Sequence, residues 1–545
     1  MSASESTGSR FAVPGAVPTD ADYVVVGGGS GGAVVAARLS EDPGTTVVLL
    51  EAGPTDVGDP AILPVREWMK LLESGYDWDY PVEPQENGNS FMRHSRAKVL
   101  GGCSSHNSCI AFWAPAEDLD SWATEHGATG WDAESVLPLF TALEDNADEG
   151  AHHGHDGPVR LRTIPGGEYD ACGTALLAAC EEAGIPNVRF NDGTTVVEGA
   201  SWFQVNVQDD GTRASSSVSY LHPVLDRPNL HVLTGWQVTR LVVEDGRCTG
   251  VEVADPDLVH THVVPAAREV VLSAGAVDSP KLLMLSGIGP AEHLREMGVE
   301  VLVDSPGVGE HLQDHPEGVI QWEARQPMTR EALQWFEIGI FTQTPRALAE
   351  GFDRPDLMFH YGQVAFDMHT RRQGYPTTDN GFCLTPNVTH ARSRGTVRLR
   401  SRDFRDKPRV DPRYFTDPHD MEVMVAGLRK AREIVAQPAM AEWVGRELSP
   451  GAEVTSDEGL AEYVRRTHNT VYHPAGTVRM GADDDAMSPL DARLRVKGVE
   501  GLRVADASVM PELTTVNPNI TTMVIGEKCA VMVREDALAG MAVAD

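Results

Sequence analysis

The chain has 545 residues, enough to bury a large core and to hold more than one domain. Its hydrophobic content of 41% and charged content of 23% are those of a globular enzyme. A formal charge of −35 argues against nucleic acid or an anionic membrane as partner and favours cationic small molecules, though an acidic proteome background reads the same way.

Met1 to Asp20 has neither a basic start nor an apolar core, and is expected to be a disordered leader rather than a signal peptide. Asp22 to Val26 then reads as a buried strand. Gly27-x-Gly29-x-x-Gly32 follows as a tight turn, then a helix of small residues, then a second strand ending in Glu51. This is the dinucleotide fingerprint, with an acid 19 residues past the last glycine, where a ribose-binding carboxylate belongs. The turn brings pyrophosphate to a helix N-terminus. The motif alone leaves open which dinucleotide binds.

His152, His153 and His155 sit among Gly and Asp and read as a surface loop; no metal site is expected. Leu233 to Val253 reads as a hairpin turning at Asp245-Gly246, followed by a buried strand at Glu269–Leu272. Ser279-Pro280 is expected to start a helix, serine as N-cap and proline at the first position. Residues 317–464 are richer in Arg, Pro and aromatics, with strand-like text such as Gly395–Arg400, and read as an antiparallel sheet with helices. Gly501–Asp506 reads as another buried strand, and Asn517-Pro518-Asn519 opens an apolar helix through Val533. Seven scattered cysteines, with no CxxC pair, point to a reducing cytoplasm. No apolar run of about 18 residues is present, so no membrane span is expected.

Two longer patterns carry a family resemblance. One is Gly101-Gly102-Cys103-Ser104-Ser105-His106-Asn107; the other is Gly275-Ala276-Val277-Asp278-Ser279-Pro280, running on to Ser286-Gly287-Ile288-Gly289. With the opening turn they make the chain similar, over nearly its whole length, to the glucose–methanol–choline (GMC) flavoprotein oxidoreductases. Cys103 departs from the serine usual there. Within the family, Ser74-Gly75-Tyr76-Asp77-Trp78, His315-Pro316-Glu317-Gly318, His360-Tyr361-Gly362 and His468-Asn469-Thr470-Val471-Tyr472-His473-Pro474 are similar to the members that act on choline.

The resemblance implies FAD rather than NAD, on an α/β fold. A Rossmann-like FAD-binding domain (residues 21–166, 208–316 and 465–545) interleaves with a substrate domain on an antiparallel sheet (residues 167–207 and 317–464). It implies that Gly27, Gly29, Gly32, Glu51, Gly101, Gly102, Asn107, Val238, Asp506, Asn519 and Thr521 hold FAD, and that His106 is bonded to it covalently. His473 and Asn517 are the expected polar pair at the reacting edge, with Ser108 and His360 as further catalytic groups; Asn517 fits an N-cap before Pro518 equally well. Glu317, Trp68, Tyr472, Trp335, Phe366 and Val471 are the expected choline pocket, with Phe336 beside Trp335 where tandem tryptophan is usual. A trimethylammonium head has no N–H to donate, so it is recognised by charge and by ring faces.

The activity implied is oxidation of choline to betaine aldehyde and then glycine betaine, with O2 reduced to hydrogen peroxide, by a cytoplasmic homodimer. The rivals are a flavin dehydrogenase with another electron acceptor, an oxidase of a different primary alcohol, and a non-catalytic flavin-binding protein.

Overall fold

Uninterrupted apolar runs build the first sheet. Tyr23–Val26, Val47–Leu50 and Val270–Leu272 are buried throughout, as strands covered on both faces must be. Ala21–Val26 pairs in parallel with Val47–Glu51 on one side and with the end of Thr261–Leu272 on the other. Leu230–Thr234 and Leu502–Val504 extend the parallel core at its two sides. The register aligns Val26 with both Leu50 and Leu272, so these strands end together. That leaves a crevice at their C-terminal ends, where open α/β sheets take ligands. The expected hairpin joins Gln237–Glu244 to Arg247–Ala254, with Asp245 and Gly246 at φ 50° and 80°. Left-handed conformations at both turn residues match the twist of the strands.

The second sheet is antiparallel and comes mostly from the middle of the chain. Its order is Val444–Ser449, Ile320–Ala324, Gly381–Val388, Leu357–Gly362, Phe336–Thr342, Gly199–Trp202. The two-residue alternation of a strand sorts its faces. Leu357, Phe359 and Tyr361 pack with Val423, Met424 and Leu428 of the helix Pro418–Val435. His360, between them, turns to the opposite face and reaches a cavity between the sheets. The computed structural model describes residues 18–193 and 198–544. The expected leader, residues 1–20, lies outside these except for its last three residues.

Several expectations are corrected. The helix expected at Ser279 spans Gly275–Leu285, with Pro280 inside it. Proline leaves a carbonyl without its helical N–H, and the Thr477 hydroxyl takes the place of that N–H, donating to the Ala276 carbonyl at 2.7 Å. The N-cap is Ala274 rather than Ser279, whose hydroxyl accepts from the Ala274 amide at 3.1 Å and donates to Asp506 at 2.6 Å. The last helix runs Asn519–Ala544, past the expected end at Val533. Thr396–Arg398 pairs with Arg409–Asp411, off the second sheet, and packs beside Val277. Asn469–Thr470 pairs with Pro316–Glu317, where the segments expected for the two domains meet. His153 is buried, its Nδ1 at 3.0 Å from the Glu144 carboxylate, so only part of that loop is surface.

Candidate active site

One cavity runs from the glycine turn to the inner face of the second sheet, enclosing about 1990 Å³ including its solvent-open part. Its first end is shaped by glycine. A Cβ on Gly32 would lie 2.0 Å from the Gly27 carbonyl, so helix and strand meet there only without a side chain. A Cβ on Gly31 would lie 2.2 Å from the Ala505 carbonyl, at the end of the strand Leu502–Val504. Gly27, Gly29 and Gly31 line the cavity; Gly32 stays behind them as packing. Glu51 lines it too and accepts from the Gly28 and Gly53 amides at 2.9 and 2.7 Å. Burial pushes its carboxyl up to about 7 against the pull of those amides. Two carboxylate oxygens that each accept one amide keep lone pairs for sugar hydroxyls.

These residues fit an elongated dinucleotide. Asn519 Nδ2, Ser273 Oγ and Asn517 Oδ1 are buried without a protein partner, and all three residues line the cavity. Unpaired buried polar atoms are costly unless a ligand satisfies them. Val238, Asp506, Gly102 and Asn107 line the same space. Asp506 also caps the helix Gly275–Leu285, accepting from the Gly275 amide at 2.9 Å. Gly101 sits one residue behind the lining, in a left-handed conformation. Thr521 does not reach the cavity and Thr522 does, one helical step round. An alanine at Gly31 overpacks a backbone contact, which costs about 1–3 kcal/mol. FAD retention should therefore fall about 10- to 100-fold in Gly31→Ala, read as the flavin-to-protein ratio after gel filtration.

His106 lines the middle of the cavity. Its Nε2 must carry the proton, because it donates to the Leu71 carbonyl at 3.0 Å. Burial pushes the ring down to about 4, so it is neutral and keeps one free nitrogen lone pair. Ser108 lies on the lining two residues further on.

At the far end the antiparallel pairing of Pro316–Glu317 with Asn469–Thr470 brings two motifs together. His473 Nε2 lies 3.3 Å from Asn517 Nδ2, and His473 Nδ1 lies 2.9 Å from His315 Nδ1. Burial pushes His473 well below the usual histidine range, with the neighbouring His315 adding to the effect, and pushes His315 down to about 4. Glu317 is buried, and burial pushes its carboxyl up to about 8 despite the polar groups of Thr385 and Asn469. His360 Nδ1 approaches Glu317 to 3.7 Å, but burial holds that ring down to about 3, so the two are not an ion pair.

Aromatic rings wall this end. Trp68 meets Phe336 edge-on at 6.1 Å, and Phe336 meets Phe366 at 5.4 Å; Tyr472 and Val471 complete the wall. Trp335 does not belong to it. Its indole N–H donates to the Arg66 carbonyl at 3.2 Å, and the Arg66 guanidinium covers its ring at 4.8 Å. Sequence reasoning assigned no site role to Arg96, Asn469 or His315, which the fold brings here. His315 stood inside a quoted motif, but only its contact across the fold gives it a role. Among the described residues no cluster suited to a metal ion occurs.

The GMC oxidoreductase family models match residues 21–317 and 391–526. The chain is 68% identical to choline oxidase of Arthrobacter globiformis over 519 residues, 94% of each chain. It is 36% identical to the oxygen-dependent choline dehydrogenase of Sinorhizobium medicae, covering 94% of this chain and 95% of that one. Among solved structures it resembles pyridoxine 4-oxidase from Mesorbium loti, with a TM-score of 0.86 and 32% identity over 95% of this chain and 99% of that one. The formate oxidase of Aspergillus oryzae RIB40 gives a TM-score of 0.88 at 25% identity, over 95% and 98%.

Proposed function

The chain belongs to the GMC oxidoreductase family, and we propose that it oxidises choline with FAD to betaine aldehyde and then, through the hydrated aldehyde, to glycine betaine, with O2 taken to hydrogen peroxide. One observation carries the reading: a buried carboxylate, Glu317, and a wall of ring faces share a cavity end with the neutral His473 and Asn517. The carboxylate and rings suit a quaternary ammonium head. His473 and Asn517 suit a hydroxyl that must lose its proton.

FAD bound along the glycine end supplies the acceptor for the hydride. The remaining work belongs to side chains. Asn517 Nδ2 can only donate, so His473 Nε2 accepts from it and the His473 proton sits on Nδ1, which faces His315 Nδ1 at 2.9 Å. His315 Nδ1 then accepts, and His473 Nδ1–H donates to it. The His473 Nε2 lone pair accepts from Asn517 Nδ2 at 3.3 Å, and the alcohol hydroxyl takes the place of that N–H when it hands over its proton. Ser108 is proposed as a hydrogen-bond donor to the substrate oxygen, and His360 as a neutral group beside the head-group carboxylate. His106 is proposed as the covalent attachment point, checked by flavin mass that stays with the protein after denaturation. We further propose residues 21–166, 208–316 and 465–545 as the cofactor unit and 167–207 with 317–464 as the substrate unit, in a cytoplasmic homodimer. Seven free cysteines suit a reducing compartment, and the mass in solution checks the dimer.

The activity is tested by giving the yellow protein choline under air and following oxygen uptake and peroxide. Turnover with a dye but no peroxide would make it a dehydrogenase instead. The head-group role also fixes a pH dependence. A carboxyl raised from 4.5 to about 8 loses folded-state stability as pH climbs through that window, because burial strips the anion of water and no cation faces it among the described residues. A bound cation supplies one and releases the proton. Affinity for a quaternary ammonium should therefore rise from pH 6 to about 8 and then level, by at most about tenfold per pH unit. Binding titrations of tetramethylammonium across that range check this, and a flat profile would contradict it.

A further inference from the structure

At the His473 backbone lies a carboxylate with no part in the steps above. Asp314 precedes His315, and its side chain is 2% exposed. One oxygen faces His94 Nε2 at 3.1 Å and the hydroxyls of Tyr414 and Thr470. The other accepts from the backbone N–H of His473 at 2.8 Å. Burial alone would raise this carboxyl, but His94, Thr470 and Tyr414 together hold it well below the usual range, so it stays ionised. Glu317, three residues along, is held high by burial instead. The segment thus carries one carboxylate kept charged and one poised to become so.

The geometry matters because the alcohol proton makes the His473–His315 pair positive. Arg96 lines the same cavity and donates to the Tyr472 carbonyl, so a fixed cation already opposes that charge. We propose that Asp314 is a positioning residue for the His473–His315 pair: it ties the His473 backbone to the His315 segment, and its negative charge supports the positive charge the pair gains in taking the alcohol proton. The inference rests on His473 as the proton acceptor. It assigns separate tasks to neighbouring groups. Thr470 and Tyr414 shape the carboxylate's surroundings, and the carboxylate's charge acts on the rings.

The test compares FAD-loaded Asp314→Asn, Asp314→Glu and Tyr414→Phe with the parent. Loss of charge should lower kcat with choline about 100-fold while KM stays within about threefold. Asp314→Glu and Tyr414→Phe keep the charge and should stay within about tenfold of the parent. Flavin content and thermal midpoint are read alongside. Asp314→Asn within about threefold of the parent kcat, or equal losses in all three variants, would overturn the inference. Should Asp314→Asn yield no holoprotein, Asp314→Glu decides: a loss of about 100-fold with FAD bound shows that charge is not what matters. Parent turnover is measured first. An active parent with an indifferent Asp314→Asn fails this inference alone, whereas a parent inactive on choline with both oxygen and dye fails the functional reading and this inference together.

Discussion

Replacing His473 with alanine should lower kcat with choline by about 10²- to 10⁴-fold, with KM changed by only a few-fold. The asymmetry follows from where the ring sits. Its Nε2 is 3.3 Å from Asn517, and it makes no hydrogen bond to the Glu317 carboxylate that would hold the head group. Removing it takes away a proton acceptor used as the C–H bond breaks and leaves the head-group contacts in place. Burial and His315 hold the ring neutral, so the acceptor is ready over the whole neutral range without first losing a proton. Anaerobic mixing with choline, followed by bleaching of the flavin absorbance, reads the chemical step directly. Fast bleaching in His473→Ala would remove His473 from proton transfer. A slow variant whose KM rises in step would move it to substrate binding. Asn517→Ala should cost less, because an amide can orient the alcohol oxygen but cannot take its proton.

Much of this arrangement was legible in the chain because backbone rules write it. Gly27, Gly31 and Gly32 stand where a Cβ would strike a carbonyl or strain the turn, and Glu51 ends a strand whose length is set by its apolar run. Contacts across the fold were not legible. His315 and His473 are 158 residues apart, and no spacing links them. Asp314 beside them reads as one acid among many until the strand pairing of Pro316 with Thr470 sets it against His473. Trp335 and Phe336 exchange expected places for a local reason. Trp335 has φ 80° and stands just before the strand Phe336–Thr342, so its ring leaves toward Arg66 and the next residue faces the cavity. Thr521 and Thr522 exchange roles because one residue turns a helix by about 100°. The helix Gly275–Leu285 starts earlier than its Ser279-Pro280 signal because Thr477, distant in sequence, serves the carbonyl that proline frees.

Glu317→Gln should raise KM for choline about 10²-fold while FAD content stays that of the parent. A trimethylammonium about 4 Å from a carboxylate gains on the order of 4 kcal/mol at an effective dielectric of about 20. At pH 7 part of that is spent ionising a carboxyl that burial holds at about 8, a cost of about 1.4 kcal/mol. The remaining ~2.6 kcal/mol corresponds to a factor of about 80. Glutamine keeps the shape of the side chain and can still accept from Asn469, which donates to Glu317 at 3.4 Å, so packing at the edge of the second sheet is preserved. Cation–π contacts with Trp68 and Tyr472, about 0.5–2 kcal/mol each, persist in the variant and keep it from losing all affinity. Two controls separate charge from shape. The carbon isostere of choline, with a quaternary carbon in place of nitrogen, should bind parent and Glu317→Gln alike. The rise of affinity between pH 6 and about 8 should disappear in the variant, because the group that titrates there is gone. An unchanged choline KM, or a loss shared equally by the neutral isostere, would take Glu317 out of the head-group site and leave the ring faces of Trp68, Phe336, Phe366 and Tyr472 to recognise the cation.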